Sequence, residues 1–211
     1  MPSLVWVISV NDFEGELAVR IARRAVEAEV DGKDDHRVDA PASFREKRGA
    51  FVTLSTYPDL SLRGCIGFPE PIYSLASAIV QAAHHACHDP RFDDLRPDEV
   101  DGIVVEVSIL TPPQEVRVRD RRELPLEVVI GRDGLIVEYG PYRGLLLPQV
   151  PVEWGWTVEE FLAHTCNKAG LPPDMWLDER TKVYKFEGEI FHELTPRGQV
   201  QRKEIAHGSG H

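Results

Sequence analysis

The spacing of its β-forming runs constrains this chain more than any other feature. Gly49-Ala-Phe-Val-Thr-Leu-Ser55 and the run from Leu60 to Gly67 are separated by a Tyr57-Pro58-Asp59 turn. The runs 126–130, 134–139 and 143–147 are separated by Gly131-Arg-Asp-Gly134 and Tyr139-Gly-Pro141. Parallel neighbours need a crossover of about a dozen residues or more, whereas antiparallel neighbours can share a tight turn. These links are too short for crossovers, so the spacing predicts hairpins. Alternation marks two further strands, Lys182 to Leu194 and Ile103 to Leu110, the latter stopped by Thr111-Pro112-Pro113. A Trp/Val/Ile-rich run at 4–10 reads as one more.

Helical signals are fewer. Asn11 with Glu14 forms a capping box that opens a helix to about Val30. Leu17, Ile21, Ala25 and Ala28 share its inner face, and Arg20, Arg23, Arg24 and Glu27 lie on a face expected to be solvated. The polar stretch from Asp31 to Arg48 reads as a connecting loop with room for a short helical turn. Pro71 fits the first turn of a second helix, whose Leu75, Ile79, Ala82 and Ala83 face inward and which His88-Asp89-Pro90 ends after Cys87. Thr157 with Glu160 opens a third, carrying Phe161, Leu162 and Cys166 to a Gly170 stop. The expected fold class is α+β, a mainly antiparallel sheet flanked by helices, with a tail beyond Pro196 that frays.

Charge excludes one class of function. The 211 residues carry 24 Lys+Arg against 35 Asp+Glu, a formal charge of −11, and lack the clustered cations that a nucleic-acid-binding surface requires. Three scattered cysteines without a Cys-x-x-Cys pair argue against a disulfide scaffold and for a reducing compartment. No apolar run approaches the ~20 residues of a membrane helix, and the first residues lack a basic n-region. The expected location is the cytoplasm.

Leu62-Arg-Gly-Cys-Ile-Gly67 is the densest unusual stretch. Glycines in a strand mark a bulge or a place where another group approaches the backbone, so Gly64 and Gly67 could admit a ligand. Arg63 could bind an anion or hold Cys65 as thiolate. As a nucleophile Cys65 needs a base within reach, such as His84, His85, His88, His164 or His192. The competing reading is a small cysteine buried in a sheet beside a salt-bridged arginine.

That hexapeptide resembles the signature of the AMMECR domain family. Asp89-Pro-Arg-Phe92, Glu106-Val-Ser-Ile-Leu110, Gly131 to Val137, Gly144 to Val150 with Glu153 and Trp156, and Cys166-Asn-Lys-Ala-Gly-Leu171 resemble further blocks of the family in the same order, from about residue 14 to 198. The resemblance implies one α+β domain of two subdomains over residues 1–198, a flexible tail over 199–211, and an intracellular protein. It brings no reaction with it. Some relatives are fused to, or encoded beside, a Memo-type domain and a radical S-adenosylmethionine protein, which implies a place in a modification pathway with such partners.

Other residues are candidates on their chemistry. His84 and His88, with Cys87, have a helical spacing that can chelate zinc, but no fourth ligand is identifiable, and the alternative is solvated histidines at a helix end. No metal or cofactor is therefore assigned. Asp89, Asp93 and Asp94 could serve acid/base work, although Asp89-Pro-Arg-Phe92 reads better as a turn in which Arg91 meets a carboxylate and Phe92 fills the core. Gly131-Arg-Asp-Gly134 reads as a hairpin turn. Gln149 and Glu153, among Leu145-Leu-Leu-Pro148, Trp154 and Trp156, suit a pocket lining or a subdomain junction equally. Glu106, in an apolar strand, either faces solvent or is a buried partner for Arg63 or Arg91.

Two functions follow. In the first, the chain is an enzyme or enzyme subunit that binds a small anionic ligand through Arg63, Gly64, Gly67, Arg91, Glu106, Gln149 and Glu153, with Cys65 as nucleophile or redox contact. In the second it is a non-catalytic adaptor in which the hexapeptide is structural.

Overall fold

The computed structural model describes residues 10–33 and 40–203, which form two compact units. Within these residues no helix is long and apolar enough to cross a membrane. The fold is α+β with antiparallel strand pairing.

The first unit holds residues up to Thr111 and a return segment from Glu189. Helix α1 (Asp12–Val30) starts at the Asn11 cap with both halves of its capping box formed. Strands β1 (Ala50–Thr56) and β2 (Leu62–Phe68) make the expected hairpin, and β3 (Ile103–Leu110) pairs antiparallel with the other side of β1. Strand order is β2-β1-β3-β7, where β7 is Lys182–Glu193, so β2 is an edge. Alternation puts Val52, Leu54, Val105 and Val107 against the Ala- and Ile-rich faces of α1 and α2 (Leu75–Cys87), all of them buried in one core.

Four expectations in this unit are corrected. α2 starts at Leu75 rather than Pro71, because the Ser74 side chain accepts the Ser77 N–H and sets the first turn there. Arg23 is buried, not solvated. Its Nε donates to Glu193 at 3.2 Å, and its two terminal nitrogens reach the carbonyls of Val100 and Ile103. Phe92 is exposed rather than in the core. The chain does not fray directly beyond Pro196 as expected, since Val200–Lys203 forms β8 on the last residues of β7, and the rest of the expected tail lies outside the described residues. The strand expected at 4–10 lies outside the described residues except for Val10, which is buried.

The second unit spans Pro112–Gly188. Strands β5 (Asp133–Tyr139) and β6 (Tyr142–Leu146) form the expected hairpin, with β5 also pairing β7 and the short β4 (Gln114–Glu115) on β7 as well. Helix α4 (Val158–Lys168) begins at the Thr157 capping box and buries Phe161, Leu162 and Cys166 against Leu135 and Val137. A short helix α3 (Gln149–Trp154) ends at Gly155, whose φ of 64° suits a residue without Cβ. The expected strand at 126–130 is absent. Arg121–Glu127 is a 3-10 turn containing Pro125, and the Asp133 carboxylate takes the Val129 N–H, so this backbone is satisfied without a sheet partner. Gly131-Arg-Asp-Gly134 therefore runs into the start of β5 without closing a hairpin.

Candidate functional site

The hexapeptide forms the edge strand β2, in which the Cys65 backbone and the Arg63 side chain have defined partners. Cys65 pairs with Thr53 across β1, and Thr53 in turn pairs with Glu106 on β3. The backbone N–H of Cys65 points outward, to Asp89 Oδ2 at 2.9 Å, and its C=O accepts from the Arg91 guanidinium at 3.3 Å. Both groups of Cys65 thus face away from β1, the geometry of a non-hydrogen-bonded pair, in which side chains approach most closely. Thr53 Oγ1 accordingly donates to Cys65 Sγ at 3.2 Å.

Asp89 and Arg91 close the sheet edge. Asp89 is buried and accepts the Arg91 Nε and terminal nitrogen at 3.0 and 2.7 Å, together with the Arg91 N–H at 3.0 Å. The Arg91 guanidinium, helped by the N–H groups of Cys65 and Arg91, holds the Asp89 carboxyl well below the usual carboxylate range against the opposing effect of burial. An edge that would otherwise offer unpaired backbone to another chain is covered by a charged clamp.

The glycines are occupied by packing. A Cβ on Gly64 would lie 2.3 Å from the Ala86 carbonyl oxygen at the end of α2, and one on Gly67 would lie 2.4 Å from the Phe51 ring. The approach that Gly64 and Gly67 permit is made by this chain's own helix and side chain.

Arg63 falls where the β1–β2 register shifts, between the pairs Leu54–Gly64 and Ser55–Leu62. A bulge re-aims its side chain, and Arg63 forks onto Glu99 with contacts of 2.9 and 3.1 Å, with a further bond to the Asp94 carbonyl. Arg63 pulls Glu99 down to about 2. An open cavity of about 510 Å³ lies beside it, lined by Arg63, Arg91, Phe92, Asp93, Arg96 and Glu99 among others. Its three arginines are each held by a carboxylate: Arg63 by Glu99, Arg91 by Asp89 and Arg96 by Asp98. Arg91 and Arg96, with 56% and 62% of their side chains exposed, are open to an arriving anion, whereas Arg63 is not, and of the two Arg91 is the one bonded to Cys65.

Glu106 meets neither Arg63 nor Arg91, correcting that pairing; Lys203 on β8 donates to it at 2.8 Å. Gln149 and Glu153 lie on α3 of the second unit, where Trp156 stacks on His164 with ring centroids 3.9 Å apart. None of the histidines offered as a base is hydrogen-bonded to Cys65. Both ring nitrogens of His88 are occupied, by Asp94 at 2.9 Å and Glu29 at 2.8 Å, and these bonds raise its pKa, which fits a protonated bridge rather than a zinc ligand. Thr53, Glu99 and Lys203 escaped the sequence reading. Thr53 follows from the hairpin once its register is known, whereas nothing local marks the other two.

Cys87 and Cys166 are buried in the two cores, where burial pushes their thiols up to about 12 and about 11. Cys65 is the half-buried one.

A family model described as AMMECR1 matches residues 19–191, a span that includes β2, the Asp89–Arg91 clamp and α3. Protein MJ0810 of Methanocaldococcus jannaschii is 58% identical over 193 residues, covering 91% of this chain and 96% of that protein. Protein PH0010 of Pyrococcus horikoshii is 55% identical over 205 residues, covering 94% and 99%. The crystal structure of PH0010 matches with a TM-score of 0.80 at 54% identity, over 93% of this chain and 99% of that one. With most of its length matched by the family model and relatives of this identity covered almost end to end, the chain belongs to the AMMECR1 family.

Proposed function

We propose that this chain is an enzyme, or a subunit of one, that binds a small ligand against β2 with the Cys65 thiol as its contact group. One observation carries the reading: the Cys65 backbone is held on both sides, N–H by Asp89 and C=O by Arg91, in a residue that is only half-buried and whose thiol accepts from the Thr53 hydroxyl. A group fixed in this way is preorganised, since binding need not order it. Arg91 rather than Arg63 is the anchor for an anionic ligand, because Arg63 is buried on Glu99. Action in the cytoplasm, in a modification pathway with Memo-type or radical S-adenosylmethionine partners, belongs to the same proposal.

The test is ligand retention. The full chain and its Cys65→Ser variant are incubated with the small-molecule fraction of a cell extract, desalted and weighed intact by mass spectrometry. Retention by the native chain that is lost in Cys65→Ser and weakened in Arg91→Ala supports the reading. Equal retention, or none by either protein, defeats it.

The second reading, an adaptor without turnover, is favoured by the packing of Gly64 and Gly67 and by exposed Tyr57, Leu60 and Leu62 at the β1–β2 turn. It gains if Leu60→Asp abolishes co-purification of a protein partner while Cys65→Ser does not.

A further inference from the structure

The second unit contains a larger cleft that the hexapeptide does not explain. It has a volume of about 1090 Å³ and is lined by the segments 115–122 and 177–182. Six of its lining residues are basic and three are acidic, the reverse of the balance in a chain with 24 basic and 35 acidic residues. Two of the six are neutralised within the lining, Arg117 by Glu115 and Arg122 by Asp120, and Arg180 pairs with Asp178.

The other three have no carboxylate partner among the described residues. The side chains of Arg119 and Lys182 make no hydrogen bond or ion pair there. Arg121 is half-buried and donates only to main-chain carbonyls, those of Trp176 at 3.0 Å and Thr181 at 2.7 Å. Burial pulls its pKa down, outweighing the carboxylates of Asp178, Glu115 and Glu179, which act on it without a direct ion pair. A second observation is independent of charge. Thr181 lines the same cleft, is 1% exposed, and its hydroxyl has no hydrogen-bond partner. Buried polar groups are nearly always paired, so an orphaned hydroxyl beside three cations without a direct ion pair points to a missing acceptor.

We propose that this cleft binds a small phosphorylated molecule with at least two adjacent phosphate groups, such as a nucleoside diphosphate. Phosphate oxygens accept from guanidinium, ammonium and hydroxyl donors together, and two phosphates match three cations better than a single carboxylate does. Val116, Val118 and Leu177 give the non-phosphate part an apolar wall. In a chain of net −11, a local cationic cleft also concentrates anions that the rest of the surface repels. The proposal is independent of Cys65, which belongs to the other unit.

The experiment is calorimetric titration of the full chain with inorganic pyrophosphate, ADP and, as comparison, citrate. Both phosphorylated probes bind, and citrate binds more weakly. Arg119→Ala and Lys182→Ala each weaken pyrophosphate binding by about tenfold, the size of one lost charge contact, and leave the fold intact because neither side chain has a partner to lose. Thr181→Val weakens binding without lowering Tm, an outcome that a purely structural threonine does not give. Cys65→Ser binds as the native chain does, so failure of the Cys65 reading leaves this result standing. No binding of either phosphorylated probe, equal affinity for citrate, or affinity unchanged in both Arg119→Ala and Lys182→Ala overturns the proposal.

Discussion

The Asp89 carboxylate, 24 residues along the chain from Cys65, accepts the Cys65 backbone N–H at 2.9 Å and so takes the place of a neighbouring strand at the sheet edge. Asp89→Ala removes that acceptor and leaves Arg91 without its counter-charge. Loss of a buried, charged hydrogen-bond acceptor costs about 2–4 kcal/mol. Urea denaturation should show the midpoint falling accordingly, and Asp89→Asn, which keeps one acceptor oxygen, should fall between the two.

Stability should also fall at acid pH. Asp89 and Glu99 both have folded pKa values below their ordinary ones, held there by Arg91 and Arg63. Groups of this kind stabilise the fold above the unfolded pKa, and the contribution is lost as pH falls through the folded one. The window is therefore from just above pH 4 down to about 2, where Glu99 titrates, and its share is at most on the order of 3 kcal/mol. Thermal melts across this range check the slope, and Glu99→Gln should flatten it.

Gly64→Ala should destabilise the protein by about 1–3 kcal/mol, as overpacking does in a filled interior. The added methyl would meet the Ala86 carbonyl at 2.3 Å, and backbone at a helix end cannot move aside cheaply. Gly102, with nothing within 4 Å of its Cβ position, is the control, and Gly102→Ala should stay within about 0.5 kcal/mol. Paired denaturation curves decide it.

The Arg23–Glu193 pair is buried on both sides, with side-chain exposures of 4% and 0%. Arg23→Met alone leaves the buried Glu193 carboxylate only the Val105 N–H and Arg20 at 3.9 Å and should cost about 3 kcal/mol, whereas adding Glu193→Gln should recover part of that loss. A double-mutant cycle measured by chemical denaturation gives the coupling.

Thiol reactivity should distinguish the three cysteines. Under native conditions iodoacetamide should modify about one thiol per chain, and none in Cys65→Ser, because Cys87 and Cys166 are buried with thiols raised to about 12 and 11. Denaturant should expose the rest. Peptide mass spectrometry identifies the modified position.

Local signals determined much of this protein without any coordinates. The capping boxes at Asn11–Glu14 and Thr157–Glu160 form as their spacing requires, because each is made within one helical turn. Short turns forced antiparallel pairing for β1–β2 and β5–β6. The Leu62–Gly67 pattern marked the right strand. Run 126–130 misled because its β-forming residues are local, whereas a strand also needs a free neighbour, and Asp133 had already satisfied that backbone.

Partnerships were decided only in the tertiary structure. Arg63 was expected to be an anion anchor, yet it is bound by Glu99, 36 residues away, and the solvated Arg23 of the sequence is buried on Glu193, 170 residues away. Glu106 finds Lys203, and the space over Gly64 goes to the Ala86 carbonyl. Periodicity and turn chemistry act over a few residues and can be read along the chain. Which charge meets which, and what fills the space over a glycine, depends on strand register and helix docking, which bring distant residues together only when the core closes.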